Sequence, residues 1–430
     1  MARFLLPNTE PGNTSTAPRT LGVVQATAMF CPQSHCAQAP GIARGKVPSM
    51  LCLVLPRGHT FGWGVCGKYL TRELARLSPV VLLTEPFTAD HIGDDLDYLF
   101  LKGVSVPLSD VRDNPQTRLP HPVLQALTDH RLMPMAPGVR GTRTIGYTFF
   151  EHSLLAARHI EQARQFFDVI VAGSSWCRDV LSQHGVDNTC TILQGIDETI
   201  FNPYANHKHY FADHFVIFSG GKFELRKGQD LVIKAFQIFH ERHKDVLLVN
   251  SWFNHWAFSM QTMAASPHIN YQFGSEDYCT AMNKLLVANG IDINRVITLP
   301  PKANIAMARI YKNTDCGLFP NRCEGGSNLV LMEYMACGKP AIVSHTSGHR
   351  DVANATNTLL LQDLHPMSVA QDEEIVAVWD EPNLDEILAQ LEWAYNHREA
   401  LYTLGAAAGR SMERCTWQAT ARQFYDLISL

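Results

Sequence analysis

The stretch Cys316–Asp351, CGLFPNRCEGGSNLVLMEYMACGKPAIVSHTSGHRD, decides the reading of this chain. CGLF is a short apolar run of the kind that forms a strand buried on both faces. A loop follows with Glu324, Gly325, Gly326, Ser327 and Asn328, and Leu329 opens a compact apolar helix that contains Glu333. Gly338 and Pro340 stop that helix, a second strand AIVS follows, and Thr346-Ser347-Gly348-His349 closes the unit. Small residues where a strand turns into a helix leave backbone N–H groups free to meet an anion. Two carboxylates beside such a place suit a ligand with hydroxyls attached to phosphate, and a sugar nucleotide has both.

Upstream, Phe215 to Ser219 reads as a strand and Leu231 to Arg242 as an amphipathic helix, with the next strand over Val246 to Asn250. Between strand and helix lies Gly220-Gly221-Lys222-Phe223-Glu224-Leu225-Arg226-Lys227-Gly228. Lys222, Arg226 and Lys227 can neutralise a diphosphate at the carboxyl end of a parallel sheet, where ligands of such sheets sit. Basic residues on a solvated turn are the bland alternative; the preceding glycine pair, which lets backbone approach a phosphate, favours binding. Glu333 lies among Leu, Val, Met, Tyr and Ala, so it must face a cleft or be paired, because a lone buried carboxylate is too costly. Two ribose hydroxyls would satisfy it; a nearby Lys or Arg is the structural alternative. Glu324 is placed to hold hydroxyls of a sugar.

The first half carries a related pattern. Met50 to Leu55 is a strand, Arg57 to Gly64 a loop in which Gly62 is a candidate for ligand contact, Val65 to Leu77 a helix, and Val80 to Leu83 a second strand. Asp90 to Leu101 reads as one amphipathic helix, and its Asp95-Leu96-Asp97 as acidic residues on a solvated face rather than metal ligands. Thr144 to Phe150 is a strand with Glu151 and His152 at its carboxyl end; a helix to Phe167, the strand DVIVAG and a helix opened by Ser174-Ser175-Trp176, good N-cap residues, follow. A short strand over Thr191 to Leu193 and Gly195-Ile196-Asp197 end this half. Residues 197 to 213 are polar, aromatic and aperiodic, which marks a domain boundary. After it come a strand over Val296 to Leu299, a helix over Ala306 to Asn313, two helices over Asn383 to Glu413 and a last one from Trp417.

Alternating strands and helices predict an α/β chain of two Rossmann-like domains whose parallel sheets face a central cleft. The expected divisions are an arm or divergent first strand over 1–46, a first, acceptor-binding domain over 47–197 and a second, nucleotide-sugar domain over 198–413. A C-terminal helix over 414–430 can return to the first domain. At 430 residues the chain exceeds one ordinary core, and 46% hydrophobic with 18% charged residues is a globular composition. A net charge of −5 argues against broad nucleic-acid binding. No run reaches the ~18 apolar residues of a membrane span. The N-terminal MARFLLPNTEPGNTST lacks the pattern of a secretory signal. Eleven cysteines scattered through apolar segments suit reduced thiols, hence a cytoplasmic protein, with peripheral membrane association the variant that a lipid acceptor would require. Cys31, His35 and Cys36 lack a second ligand pair, so no metal is expected.

GGKFELRKGQD together with EGGSNLVLMEYMACGKPAIVS resembles the nucleotide-binding domain of the family 4 (group 1 type) GT-B glycosyltransferases. The resemblance runs from about residue 143 to 350 and more loosely over the first domain. It implies that Lys222 and Lys227 grip the donor diphosphate, that Glu333 binds ribose, and that Glu324 with the following backbone amides contacts the donor sugar. It further implies a retaining, metal-independent transfer from a nucleoside-diphosphate sugar, UDP before GDP, to an acceptor hydroxyl on a sugar, lipid, protein or small molecule, without a cofactor. The expected catalytic residues are thus Lys222, Lys227, Glu324 and Glu151. The expected donor contacts are Gly220, Gly221, Arg226, Gly325, Gly326, Ser327, Asn328, Leu329, Glu333 and Gly62. Two departures stand out. Eight residues separate Glu324 from Glu333 where the family has seven, and no histidine clearly ends the first-domain strand that faces the sugar; Glu151 and His152 are nearest, then His59. Sugar-nucleotide 2-epimerases share the frame, as do phosphorylases, for which no suitable pyridoxal lysine is evident. The altered glutamate spacing keeps a non-catalytic sugar-nucleotide-binding protein as a further alternative.

Overall fold

Runs such as LCLV and CGLF have no polar side to show to water, so both faces must be covered. In the computed structural model, which describes residues 50–112, 118–274 and 276–429, both runs are buried at every position. The expected arm at 1–46 and the Cys31, His35 and Cys36 group lie outside the described residues.

The first sheet is parallel and has seven strands: β1 (Leu51–Val54), β2 (Val80–Thr84), β3 (Ser105–Pro107), β4 (Val123–Ala126), β5 (Thr144–Thr148), β6 (Val169–Ala172) and β7 (Thr189–Thr191), in the order β3-β2-β1-β4-β5-β6-β7. The second has six, also parallel: β8 (Phe215–Gly220), β9 (Val246–Ser251), β10 (Val296–Thr298), β11 (Cys316–Phe319), β12 (Ala341–Ser344) and β13 (Leu359–Leu361), in the order β10-β9-β8-β11-β12-β13. Each order reverses once, between β1 and β4 and between β8 and β11. At such a switch the loops leaving two neighbouring strands diverge and open a crevice at their carboxyl ends. The fold is GT-B, two Rossmann-like domains, and both belong to one packed unit.

Helices cover the sheets. Leu329–Ala336 is apolar apart from Glu333 and buried except at Val330, as a helix set into a core must be. The last helix, Trp417–Ser429, lies against Gly62–Ala75 in the first domain, with Trp417 stacked on Tyr69 at 5.8 Å.

Several expectations need correction. The helix expected over Asp90 to Leu101 is two, Ala89–Ile92 and Asp95–Val104, broken at Gly93 with φ +74°. Asp97 pairs with the buried Lys68 at 2.7 Å instead of lying on a solvated face. Gly62–Ala75 begins three residues earlier than expected, so Gly64 and Gly67 serve packing: a Cβ at Gly67 would lie 1.8 Å from the Pro56 carbonyl oxygen. β7 ends where the expected strand was to begin. β3, β4 and β13 were not anticipated, nor was an antiparallel hairpin, β14 (Leu364–Gln371) and β15 (Glu374–Pro382).

That hairpin crosses to the first domain. Val376 accepts from Leu154 N–H at 3.1 Å, and the Trp379 indole donates to the Glu151 carbonyl at 2.8 Å. Nearby, Ser174 Oγ accepts from Cys177 N–H, capping its helix, and donates across the interface to Gly325 O at 2.7 Å. Ser175 N–H donates to Asp351 at 2.8 Å. These contacts fix the two switch points opposite one another.

Candidate active site

The facing switch points enclose a cavity of about 790 Å³. The loops after β1, β4 and β5 supply His59 to Trp63, Thr128 to His130 and Phe149 to His152. Those after β8 and β11, with the helix at Leu329, supply Gly221, Lys222, Glu224, Arg226, Lys227, Glu324, Gly326, Asn328, Leu329, Val330 and Glu333. Of the glycines expected at the site, Gly62, Gly221 and Gly326 line this space. Gly220 and Gly325 do not, nor does Ser327. A Cβ at Gly325 would lie 2.5 Å from the Phe150 carbonyl oxygen, so this glycine lets the domains touch. Ser327 is fully buried against Met332.

The loop after β8 is shaped to present cations. Gln229 Nε2 holds the Lys222 carbonyl at 2.7 Å, and Leu225–Lys227 forms a 3-10 turn closed by Gly228 at φ +70°. Pro320 O lies 2.1 Å from where a Gly228 Cβ would be, so a side chain is barred there. Lys222 sits 4.5 Å over the Trp256 ring and 3.7 Å from Glu224. Arg226 meets Glu224 at 2.8 Å, Glu151 at 3.2 Å and Glu324 at 3.5 Å, and Lys227 pairs directly with Glu324. Three cations therefore face three carboxylates, one of them, Glu151, from the first domain. Burial pushes the Lys222 ammonium below its usual range, with Glu224 opposing. Burial would raise the Glu224 carboxyl, but Arg226 and then Lys222 outweigh it and bring it down to about 2. Glu324, against the same cost of burial, is held below its ordinary value by Lys227 and Arg226. Glu224 and Glu324 are thus held as ions beside Arg226, which is the condition for a buried pair to persist.

Asn328 takes the turn before the helix at φ +64°, and its side chain caps Leu331 N–H. The eight-residue spacing still leaves both glutamates on the cavity. Among the described residues no cation forms an ion pair with Glu333, and Lys68 acts on it only at longer range. Asn304 Nδ2 donates to it at 2.5 Å and Tyr311 Oη lies 3.4 Å away. Burial raises its carboxyl to about 8, with Asn304 and Tyr311 opposing. The lysine or arginine partner held open by the sequence gives way to these neutral donors, and a carboxylate so poor in positive charge suits further hydroxyl donors.

On the first-domain side His152 stacks on His130 at 3.6 Å. Burial lowers both imidazoles, His130 to about 4, so the pair is neutral near pH 7. His59 lines the cavity, and its carbonyl accepts from Asn304 N–H at 3.3 Å. Sequence reasoning missed His130, Asn304, Trp256, Trp379 and Glu224. Glu224 was visible inside the cationic loop but was passed over beside three positive neighbours. His130 follows β4, a strand that had not been recognised.

Residues 272–374 match the family model described as glycosyl transferases group 1. Over this segment the chain is similar to the group 1 glycosyltransferases. The matched segment holds Glu324 and Glu333, and the cationic loop lies before it. D-inositol 3-phosphate glycosyltransferase of Paenarthrobacter aurescens is 22% identical over 251 residues, 56% of this chain and 52% of that protein. The chain thus spans about half the length of the curated relative it matches. Among solved structures, Anabaena HepE in complex with UDP-glucose is similar at a TM-score of 0.60 and 14% identity, over 88% of this chain and 99% of that one. Sucrose-phosphate synthase from Thermosynechococcus elongatus is similar at a TM-score of 0.60 and 14% identity, over 88% and 98%. At these identities the structures establish the shared GT-B fold.

Proposed function

We propose that the chain is a retaining, metal-independent glycosyltransferase that moves a sugar from a UDP-sugar to an acceptor hydroxyl. The observation that carries this reading is the meeting of Lys222, Arg226, Lys227, Glu324 and Glu333 in one cavity, from the two loops that flank a sheet switch point. UDP-glucose in the similar HepE structure supports the donor class.

Glu333, with Asn304 beside it, accepts from the ribose hydroxyls. The diphosphate lies between Lys222, Lys227 and the first-turn N–H groups at Leu329 and Val330, where the helix end is positive. Glu324 takes hydroxyls of the sugar. The acceptor enters from the first-domain wall. Its oxygen bonds to the anomeric carbon on the face the leaving group departs from, the bond from that carbon to the phosphate oxygen breaks, and a phosphate oxygen receives the hydroxyl proton. The products are the glycoside and UDP. Positive side chains already aimed at the departing diphosphate stabilise charge as it develops, the effect usually largest in catalysis; this supports a reaction without a metal. Glu151, bound to Arg226, serves by holding that guanidinium rather than by taking a proton. The free thiols among the described residues support a cytoplasmic setting.

The test is release of UDP from UDP-glucose across an acceptor panel, for wild type and Lys227→Ala. Loss of one such donor costs about 100- to 1,000-fold in kcat, with circular dichroism checking that the variant is folded. Equal turnover in the variant refutes the assignment.

A further inference from the structure

Lys227 is not a solitary cation waiting for phosphate: its ammonium pairs with Glu324, and the two side chains are only 10% and 5% exposed. The same Glu324 oxygen accepts from the Asn321 amide, and Arg226 stands 3.5 Å from the other. Arg226 is already engaged by Glu151 and Glu224. A phosphate that draws Lys227 away therefore leaves Glu324 dependent on an amide and a shared guanidinium. A stranded buried carboxylate is costly, and it also repels a neighbouring anion.

We propose that the Lys227–Glu324 pair makes Glu324 a selector between the sugar nucleotide and the bare nucleoside diphosphate. This rests on the function proposed above and assigns Glu324 a role beyond contact with the sugar. A sugar nucleotide separates the pair at little cost, because its phosphate takes Lys227 while its hydroxyls donate to Glu324. The bare diphosphate brings no such hydroxyls, and its terminal phosphate carries more negative charge near pH 7, since its second ionisation lies near 6. After transfer the spent nucleotide thus faces a carboxylate that competes with it for Lys227. Re-formation of the pair helps expel the product, a step that often limits turnover in enzymes of this kind of closed site.

The inference is tested by calorimetric titration of UDP and of UDP-glucose into wild type, Glu324→Gln and Glu324→Asp. In wild type UDP-glucose binds at least as tightly as UDP. Glu324→Gln removes the competing charge, so UDP binds about tenfold tighter, while UDP-glucose gains less or weakens. Glu324→Asp, which draws the charge back by one methylene, tightens UDP by a smaller factor and decides the matter should the Gln variant not fold. If either folded variant binds UDP no tighter than wild type, the selector role is overturned while the proposed function stands. If wild type binds neither ligand, both fall.

Discussion

Glu333 is the place where burial and charge are most sharply opposed, and Glu333→Gln measures that opposition. Its carboxyl is raised from 4.5 to about 8 in the folded protein. Between those pH values the folded state keeps a proton that the unfolded chain has released, so stability falls as pH rises. The stabilising contribution is fully present below pH 4.5 and is lost as pH rises through 8. At 1.36 kcal/mol per pH unit the swing is about 5 kcal/mol. Glutamine has nearly the same shape, offers a carbonyl to Asn304 and does not titrate. Urea unfolding of the two proteins should therefore give similar stabilities near pH 4.5 and a variant more stable by several kcal/mol at pH 8.5. Donor binding reads the same group: ribose hydroxyls favour the ionised carboxylate, so a site roughly nine-tenths protonated at pH 7 should release close to one proton when UDP-glucose binds. Calorimetry in two buffers of different ionisation enthalpy reports that proton. A stability gap that does not change with pH, together with binding that releases no proton, refutes the reasoning.

Other outcomes follow from the same contacts. Arg322 is fully buried, bonded twice to the equally buried Asp230 at 2.8 Å and to Glu381 at 2.7 Å. Arg322→Met should cost about 3–5 kcal/mol, because it strands Asp230 as an unpaired ion; urea midpoints check this. Gly325→Ala puts a methyl against the rigid Phe150 backbone and should cost about 1–3 kcal/mol, read as a lower melting temperature.

The strands that face the core on both sides were legible because their apolar runs have no alternative: β1, β8, β11 and β12 fall within a residue or two of where their side chains place them. β4 was hidden by Gln125 in its four residues. That side chain is buried but fully used, donating to Val139 O at 2.9 Å and accepting from Ala136 N–H at 3.1 Å. A polar residue satisfied by tertiary partners carries no local signature. The hairpin was hidden for a different reason. Its turn uses Asp372 and Glu373, both with positive φ, where the sequence signal for such turns is Asn-Gly or Asp-Gly. Trp379, one of the hairpin's few buried residues, is a cavity residue placed by packing with Leu225 and Cys323 and by its bond to the Glu151 carbonyl. The site divides similarly. Lys222, Arg226, Lys227, Glu324 and Glu333 were readable from loop chemistry and resemblance. The pairing of Arg226 with Glu151 was not, because it depends on how two domains meet.

The cavity between the β8 and β11 loops is the proposed sugar-nucleotide site. Amide hydrogen exchange with and without UDP-glucose locates the ligand directly. Slowed exchange is expected in residues 220–228 and 324–333, together with the first-domain loop at 149–154. Unchanged exchange in both second-domain loops, with protection elsewhere, would contradict this assignment.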